Sequence, residues 1–176
     1  MMDLKLVRPA PEYAEQVMRF REKMLANGDS LDGCAGLEAV DSFEQWIDFE
    51  PRLRRKYGRE YVPSEVFLAV RTEDDKLVGI IDYRHPLSPF LLRYGGNIGY
   101  SVLPEERRKG YAGEMLRLLL PVCREYGEEK VLLVCDKGNE ASRRTIVKNG
   151  GEPENEITDD VGLTESGVIQ RYWIRL

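Results

Sequence analysis

The residues from Ile98 to Gly113, Ile-Gly-Tyr-Ser-Val-Leu-Pro-Glu-Glu-Arg-Arg-Lys-Gly-Tyr-Ala-Gly, have the types and spacing most able to do chemistry. An apolar, β-favouring run over Ile98–Leu103 meets a turn started by Pro104. Arg107-x-x-Gly110-x-Ala112 follows and opens directly into the helical run Glu114-Met-Leu-Arg-Leu-Leu-Leu120. A strand feeding a small-residue loop at a helix N-terminus is a place to hold phosphate. Consecutive main-chain N–H groups point outward, no Cβ obstructs approach at Gly110 and Gly113, and the helix dipole favours an anion. Arg107, Arg108 and Lys109 bring three cations to the same spot. The chemistry implied is a grip on a ligand that bears a polyphosphate.

The elements that must position this loop follow from the patterning. Leu4 to Arg8 alternates as a short strand and stops at Pro9. Pro11 opens a helix whose apolar spacing (Tyr13, Val17, Met18, Phe20, Met24, Leu25) runs to Asn27-Gly28. Residues 28–41 are a glycine-rich loop. Ser42 caps a second helix carrying Phe43, Trp46, Ile47 and Phe49, and Arg52–Arg59 reads as a basic, solvated helix face. The period then changes to two, with strands over Val66–Arg71 and Leu77–Tyr83 joined by a hairpin turn at 72–76. Asn97–Leu103 is a further strand, and the loop's helix ends at Tyr126-Gly127. Lys130–Cys135 is a strand buried on both faces, Asn139 caps a helix to Asn149, and Val168–Ile174 is the last strand. The fold expected is α/β, one domain over 1–176. It has a mixed, mostly antiparallel central sheet of about seven strands with helices on both sides, and one strand–loop–helix–strand crossover that carries the phosphate loop.

Bulk properties narrow the function classes. The 176 residues are 42% hydrophobic and 32% charged, as in a soluble globular domain that builds its own core. Asp and Glu outnumber Lys and Arg by 31 to 26, for a net charge of −5, which argues against nucleic acid as partner. Cys34, Cys123 and Cys135, odd in number and scattered, fit reduced thiols. With no signal-peptide pattern and no long apolar run, a cytoplasmic protein without membrane attachment is expected. One histidine and three dispersed cysteines give no zinc spacing, so no metal is expected. Trp46 and Trp173 are expected in the core.

The strand, Arg107-x-x-Gly110-x-Ala112, the buried strand after its helix, and Asn139-x-x-Ser142 opening the next helix resemble, in order and spacing, the GCN5-related N-acetyltransferase (GNAT) superfamily across essentially the whole chain. The opening Leu-Val-Arg-Pro-Ala also resembles that family's first strand. The resemblance implies the GNAT-like acyl-CoA acyltransferase fold and acetyl-CoA as co-substrate. The loop Arg107, Arg108, Lys109, Gly110, Tyr111, Ala112 and Gly113 would cradle its pyrophosphate. Val102 and Leu103 would pair with the pantetheine amides as a strand edge pairs with a peptide, Asn139 and Ser142 would contact the pantetheine arm, and Arg143 or Lys148 would reach the 3′-phosphate.

Transfer to an amine needs a proton removed and the thiolate protonated. A lysine-like amine of pKa about 10.4 costs about 4–5 kcal/mol to hold neutral at pH 7. Many family members use a tyrosine four residues after the serine as the acid; here that position is Ile146, so either the CoA thiol leaves as thiolate or another donor, such as Tyr100 or Cys135, substitutes. The fourth-strand glutamate that some relatives use as base is replaced near Gly96 and Asn97. His85, the only histidine, is then a candidate base or water-orienting group, as well as a plain strand-end residue. Asp82 is an alternative base, and Asp136 is another, or attracts a cationic acceptor. The acceptor is expected over the 28–41 loop and the helix after it, whose Asp32, Glu38, Asp41 and Glu44 favour positive charge. The expectation is direct acetyl transfer to a primary amine of a small molecule or protein, by a monomer or homodimer. A non-catalytic acyl-CoA-binding module is the alternative. A nucleotide-binding domain of another kind fits less well, because three consecutive strands lie between 66 and 103 rather than a parallel βαβ series.

Overall fold

The computed structural model describes residues 3–48 and 62–176. Phe49 and the basic stretch Arg52–Arg59 lie outside the described residues. Strand β1 (Leu4–Val7) leads into α1 (Ala14–Ala26), whose Val17, Phe20 and Met24 are buried at helical spacing. The glycine-rich loop precedes α2 (Phe43–Ile47), capped as expected by the Ser42 hydroxyl, which accepts from the Gln45 N–H at 3.2 Å. Strands β2 (Ser64–Arg71), β3 (Lys76–Arg84) and β4 (Ile98–Val102) complete an antiparallel sheet of order β1-β2-β3-β4.

Helix α3 (Tyr111–Glu125), β5 (Lys130–Asp136), α4 (Glu140–Lys148), β6 (Glu152–Thr158) and β7 (Val168–Arg175) form the second half. Its strands make a separate sheet of order β5-β7-β6, so among the described residues seven strands divide four and three rather than forming one continuous sheet. β6 carries mostly exposed polar residues (Glu-Pro-Glu-Asn-Glu-Ile-Thr), which is why composition gives little strand signal there. With β7 antiparallel to both neighbours, β5–α4–β6 is a second crossover, one more than expected.

Two cores result. Phe67, Ile81, Tyr83 and Ile98 meet Met115, Leu116 and Leu119 of α3 on one face; Leu68, Val70 and Ile80 meet Phe20, Met24 and Trp46 on the other. Trp46 is in the core, but Trp173 is only half-buried. Its neighbours Tyr172 and Ile174 point inward, so alternation turns Trp173 out, with the Lys130 ammonium 4.3 Å from its ring. Among the described residues no helix is long and apolar enough to cross a membrane.

Candidate active site

The site begins at Glu106, a carboxylate only 3% exposed at the end of the Pro104–Glu106 turn. Three cations meet it: Lys76 at 2.5 Å, Lys109 at 2.8 Å and Arg71 at 3.2 Å, and Arg71 also donates to the Tyr111 hydroxyl at 3.1 Å. Burial alone would raise its pKa, but the hydrogen bonds from Lys109 and Lys76 hold it down at about 2. The start of the loop is thereby anchored to the β2–β3 hairpin. Sequence reading missed Glu106 because its partners Arg71 and Lys76 are far away along the chain.

From this anchor the chain turns through positive φ at Arg108 (61°) and Gly110 (88°) and enters α3 without a side-chain cap. Among the described residues, none accepts a hydrogen bond from the main-chain N–H groups of Arg108 to Gly113. A Cβ placed on Gly113 would meet only the Asn149 amide nitrogen, at 3.9 Å, so the fold itself does not need glycine there. Successive unpaired donors at a helix N-terminus form an anion cradle. The three basic residues divide their duties. Arg107 bonds the Val102 carbonyl at 3.1 Å and Asp29 at 2.7 Å, and Lys109 is spent on Glu106; among the described residues Arg108 has no ion-pair partner.

A wedge opens beside the cradle. The Asn97 N–H donates to the Leu132 carbonyl at 2.7 Å, and the Asn97 side-chain oxygen accepts from the Leu132 N–H at 2.8 Å. Asn97 also ties in β3, for its amide nitrogen donates to the Arg84 carbonyl at 3.0 Å. β4 and β5 both leave this junction without a ladder between them. The Arg84 N–H bonds the Asn97 carbonyl (2.7 Å) and the Leu103 N–H bonds the Val78 carbonyl (2.9 Å). By antiparallel alternation the main-chain groups of Gly99, Ser101 and Leu103 face β3, while those of Ile98, Tyr100 and Val102 face the wedge. Val102 therefore offers its N–H to the wedge. Leu103 does not, since its N–H is used by Val78 and its carbonyl accepts from Glu106 at 2.9 Å.

Tyr100 spans the wedge: its hydroxyl lies 2.9 Å from the Ser142 hydroxyl, at the start of α4. Burial pushes its pKa up to about 12, so it is a protonated donor at neutral pH. Ile146, one turn further along α4, is fully buried. Asn139 caps α4, its side-chain oxygen accepting from the Ser142 N–H at 3.0 Å, which leaves its amide nitrogen free to donate. Arg143 is held by Glu140 at 2.6 Å.

The other candidates are elsewhere. The His85 ring stacks on Tyr83 at 4.7 Å and sits 4.6 Å from Tyr126, at the far end of α3 from the cradle. Fifteen residues of helix at about 1.5 Å each put these ends about 20 Å apart. Asp136 points to the sheet face opposite Cys135 and accepts from the N–H groups of Gly138 (2.8 Å), Glu165 (2.9 Å) and Ser166 (3.4 Å). Burial works to raise its pKa, yet these hydrogen bonds hold it below its ordinary value. It staples two loops and does not face the wedge. Cys135 is buried, which raises its thiol to about 11. Asp82, also buried, is enclosed by the Ser64 hydroxyl (3.0 Å), the Gly99 N–H (3.1 Å) and Arg84 (3.3 Å). Arg84 escaped notice, although its place two residues after Asp82 on one strand put the pair on the same face. Asp32, Glu38, Asp41 and Glu44 are exposed.

Solved structures share this architecture. RimJ of Mycobacterium smegmatis, in complex with a CoA disulfide, superposes with a TM-score of 0.71 at 16% identity over 98% of this chain and 81% of that one. RimL, a ribosomal L7/L12 α-N-protein acetyltransferase in complex with coenzyme A, gives 0.71 at 14% identity over 100% and 96%. The microcin C7 self-immunity acetyltransferase MccE, with acetyl-CoA and AMP, gives 0.68 at 15% over 99% and 93%. No curated protein is a significant match to the sequence. The acetyltransferase (GNAT) domain profile matches residues 4–152, most of the sequence and all of the cradle and wedge, and the chain therefore belongs to the GNAT acetyltransferase family.

Proposed function

We propose that this chain, acting as one domain, is an N-acetyltransferase that takes acetyl-CoA and passes its acetyl group directly to a primary amine. The observation that carries the reading is the row of N–H groups from Arg108 to Gly113, unpartnered among the described residues, beside an open strand edge. Coenzyme A is a polyanion with a peptide-like arm, and the residues present fit both halves. Arg108–Gly113 would hold the pyrophosphate, the outward main-chain groups of Tyr100, the Val102 N–H and the amide of Asn139 would hold the arm, and exposed Lys148, which has no ion-pair partner among the described residues, would reach a further phosphate. When bound, acetyl-CoA supplies an activated acyl group as a thioester.

The side chains at the wedge do the rest. The Tyr100 hydroxyl, backed by Ser142, donates the proton that a departing thiolate needs, the task Ile146 cannot perform. The base side is spare: His85 packs beside the far end of α3, Asp82 is enclosed and Asp136 caps loops. An acceptor that loses its own proton easily suits such a site. An α-amino group of pKa about 7.7–8.0 costs about 1 kcal/mol to hold neutral at pH 7, against about 4–5 for a lysine side chain.

Calorimetry with acetyl-CoA, CoA and NADH, followed by thiol release with a panel of amines, tests the reading. Selective binding of the CoA compounds and saturable turnover of at least one amine are expected. Tight binding with no turnover on any amine would leave a CoA-binding module instead.

A further inference from the structure

The sheet has two faces, and the CoA-holding elements α3 and α4 occupy one of them. An acceptor meeting the thioester in the wedge must come from the other, and that face is nearly closed over β4. Gly33 of the glycine-rich loop sits so close that a Cβ there would overlap the Gly99 carbonyl, and the Ser101 hydroxyl is bonded to the Asp32 carbonyl at 2.7 Å. Beyond these contacts, at the junction of the strands, stands Arg84, whose side chain keeps 22% of its surface exposed.

Arg84 is built into this position. Its main chain pairs with Asn97 at the apex of the wedge. Its Nε lies 3.3 Å from Asp82 Oδ1, and Asp82 is itself fixed by Ser64 and by the Gly99 N–H. The guanidinium lies over two glycines: a Cβ on Gly99 would come within 2.6 Å of Nη2, and one on Gly95 within 3.5 Å of Nη1. The side chain is 22% exposed, Nε is shut away from solvent, and among the described residues neither Nη has a hydrogen-bond partner. Asp82 thus faces the Nε edge of the guanidinium as an ion pair, without a hydrogen bond, and among the described residues the Nη1–Nη2 fork is left free. A rigid pair of parallel N–H donors matches a carboxylate held through both oxygens.

We infer that Arg84 is a specificity-determining residue that binds a carboxylate of the acceptor, so the amine acetylated here belongs to a molecule carrying a carboxylate close to that amine. The inference rests on the acetyltransferase reading above and names its substrate class. With Asp82 already neutralising Arg84, the pair does not draw in simple cations. The exposed acids of the 28–41 loop then act as surface charge, not as the acceptor contact. The carboxylate has two sources of the same chemistry, the α-carboxylate of a free amino acid or an acidic side chain next to a peptide N-terminus.

Thiol release by the full chain with acetyl-CoA separates these cases, using alanine, alaninamide and an alanyl-aspartyl dipeptide amide as acceptors. Alanine or the dipeptide is expected to exceed alaninamide in kcat/KM by at least about tenfold. Whichever does so identifies the source. Arg84→Gln is expected to erase that preference while leaving acetyl-CoA affinity and the alaninamide rate within about twofold of wild type, a pattern that a merely structural role does not produce. Equal kcat/KM for all three acceptors in the wild type, or a parallel fall for all three in the variant, overturns the inference. Should Arg84→Gln not fold, Arg84→Lys keeps the charge without the fork; an undiminished preference in that variant overturns it too. If no amine is acetylated, the acetyltransferase reading fails. The inference is then decided by titrating N-acetylalanine and N-acetylalaninamide into the protein with saturating CoA, equal affinities overturning it.

Discussion

Helices α3 and α4 each start after a strand and a loop, and they treat their N-termini in opposite ways. At α4 the Asn139 side chain accepts from the Ser142 N–H, Asp136 takes the Gly138 N–H, and Glu140 in the first turn is surrounded by Arg143 and Arg144. The N–H groups of Gly138, Asn139, Glu140 and Ser142 are thus satisfied from within. At α3 the cap is Gly110, which has no side chain to offer, while Glu114 pairs with Arg117 at 2.7 Å just as Glu140 pairs with Arg143, so the cap is what differs. The donors from Arg108 to Gly113 stay open. The same secondary structure is thus a closed joint in one place and an open row of donors in the other, and the capping residue makes the difference. The open end also needs outside support, because a loop that cannot bond itself must be held by something else. The buried Glu106 with its three cations does this.

The largest way to break the comparison is to remove that support. Glu106→Gln leaves Lys76, Lys109 and Arg71 crowded without a counter-charge, and a loss of about 3–5 kcal/mol in denaturant unfolding is expected. The same group gives an acid signature. Its folded value is depressed to about 2, so the stability it contributes is whole above its ordinary value of 4.5 and is lost as pH falls toward 2. The acid-unfolding curve of Glu106→Gln should lack that component. Next, Gly110→Asp puts a charged side chain at φ 88° beside the open donors. Acetyl-CoA affinity by calorimetry should fall by about a hundredfold or more, near 3 kcal/mol, and the strained φ should cost about 1–2 kcal/mol of stability. Retained affinity would place the phosphate site elsewhere.

Tyr100→Phe probes the wedge between the two helices. It should lower kcat by about 10- to 100-fold with acetyl-CoA affinity unchanged. The Tyr100 value near 12 means that the wild-type rate should show no alkaline fall below about pH 10 from this group. The smallest effect is expected at the closed joint. Asn139→Ala removes the cap and should cost about 1 kcal/mol of stability, with acetyl-CoA affinity changed by less than tenfold.

Much of the cradle was legible because its signals are local. Gly110, the run of small residues after it and the amphipathic α3 lie within one stretch of chain, and local sequence decides a helix start. The wedge was only half legible. The sequence marked β4 and β5 as strands, but whether adjacent strands pair or part depends on one buried side chain, Asn97, holding Leu132 from 35 residues away. Candidate chemistry fared by the same rule. Tyr100 and Ser142 meet although they lie far apart in the chain, and nothing in their types announces it. His85 had the right chemistry and the wrong end of α3, and Asp136 had the right strand end and the wrong face.

The sequence alone determined the order of the elements, the uncapped start of α3 and the loss of the tyrosine at Ile146, because propensity, capping and residue identity are properties of neighbours along a chain. Only the tertiary structure decided which of the basic residues is left over for a ligand, which hydroxyl faces the wedge, and that the Arg84 fork stands open. Those outcomes depend on charges and hydrogen bonds being matched between distant segments, and a partner must be in place before it can be known what remains unpaired.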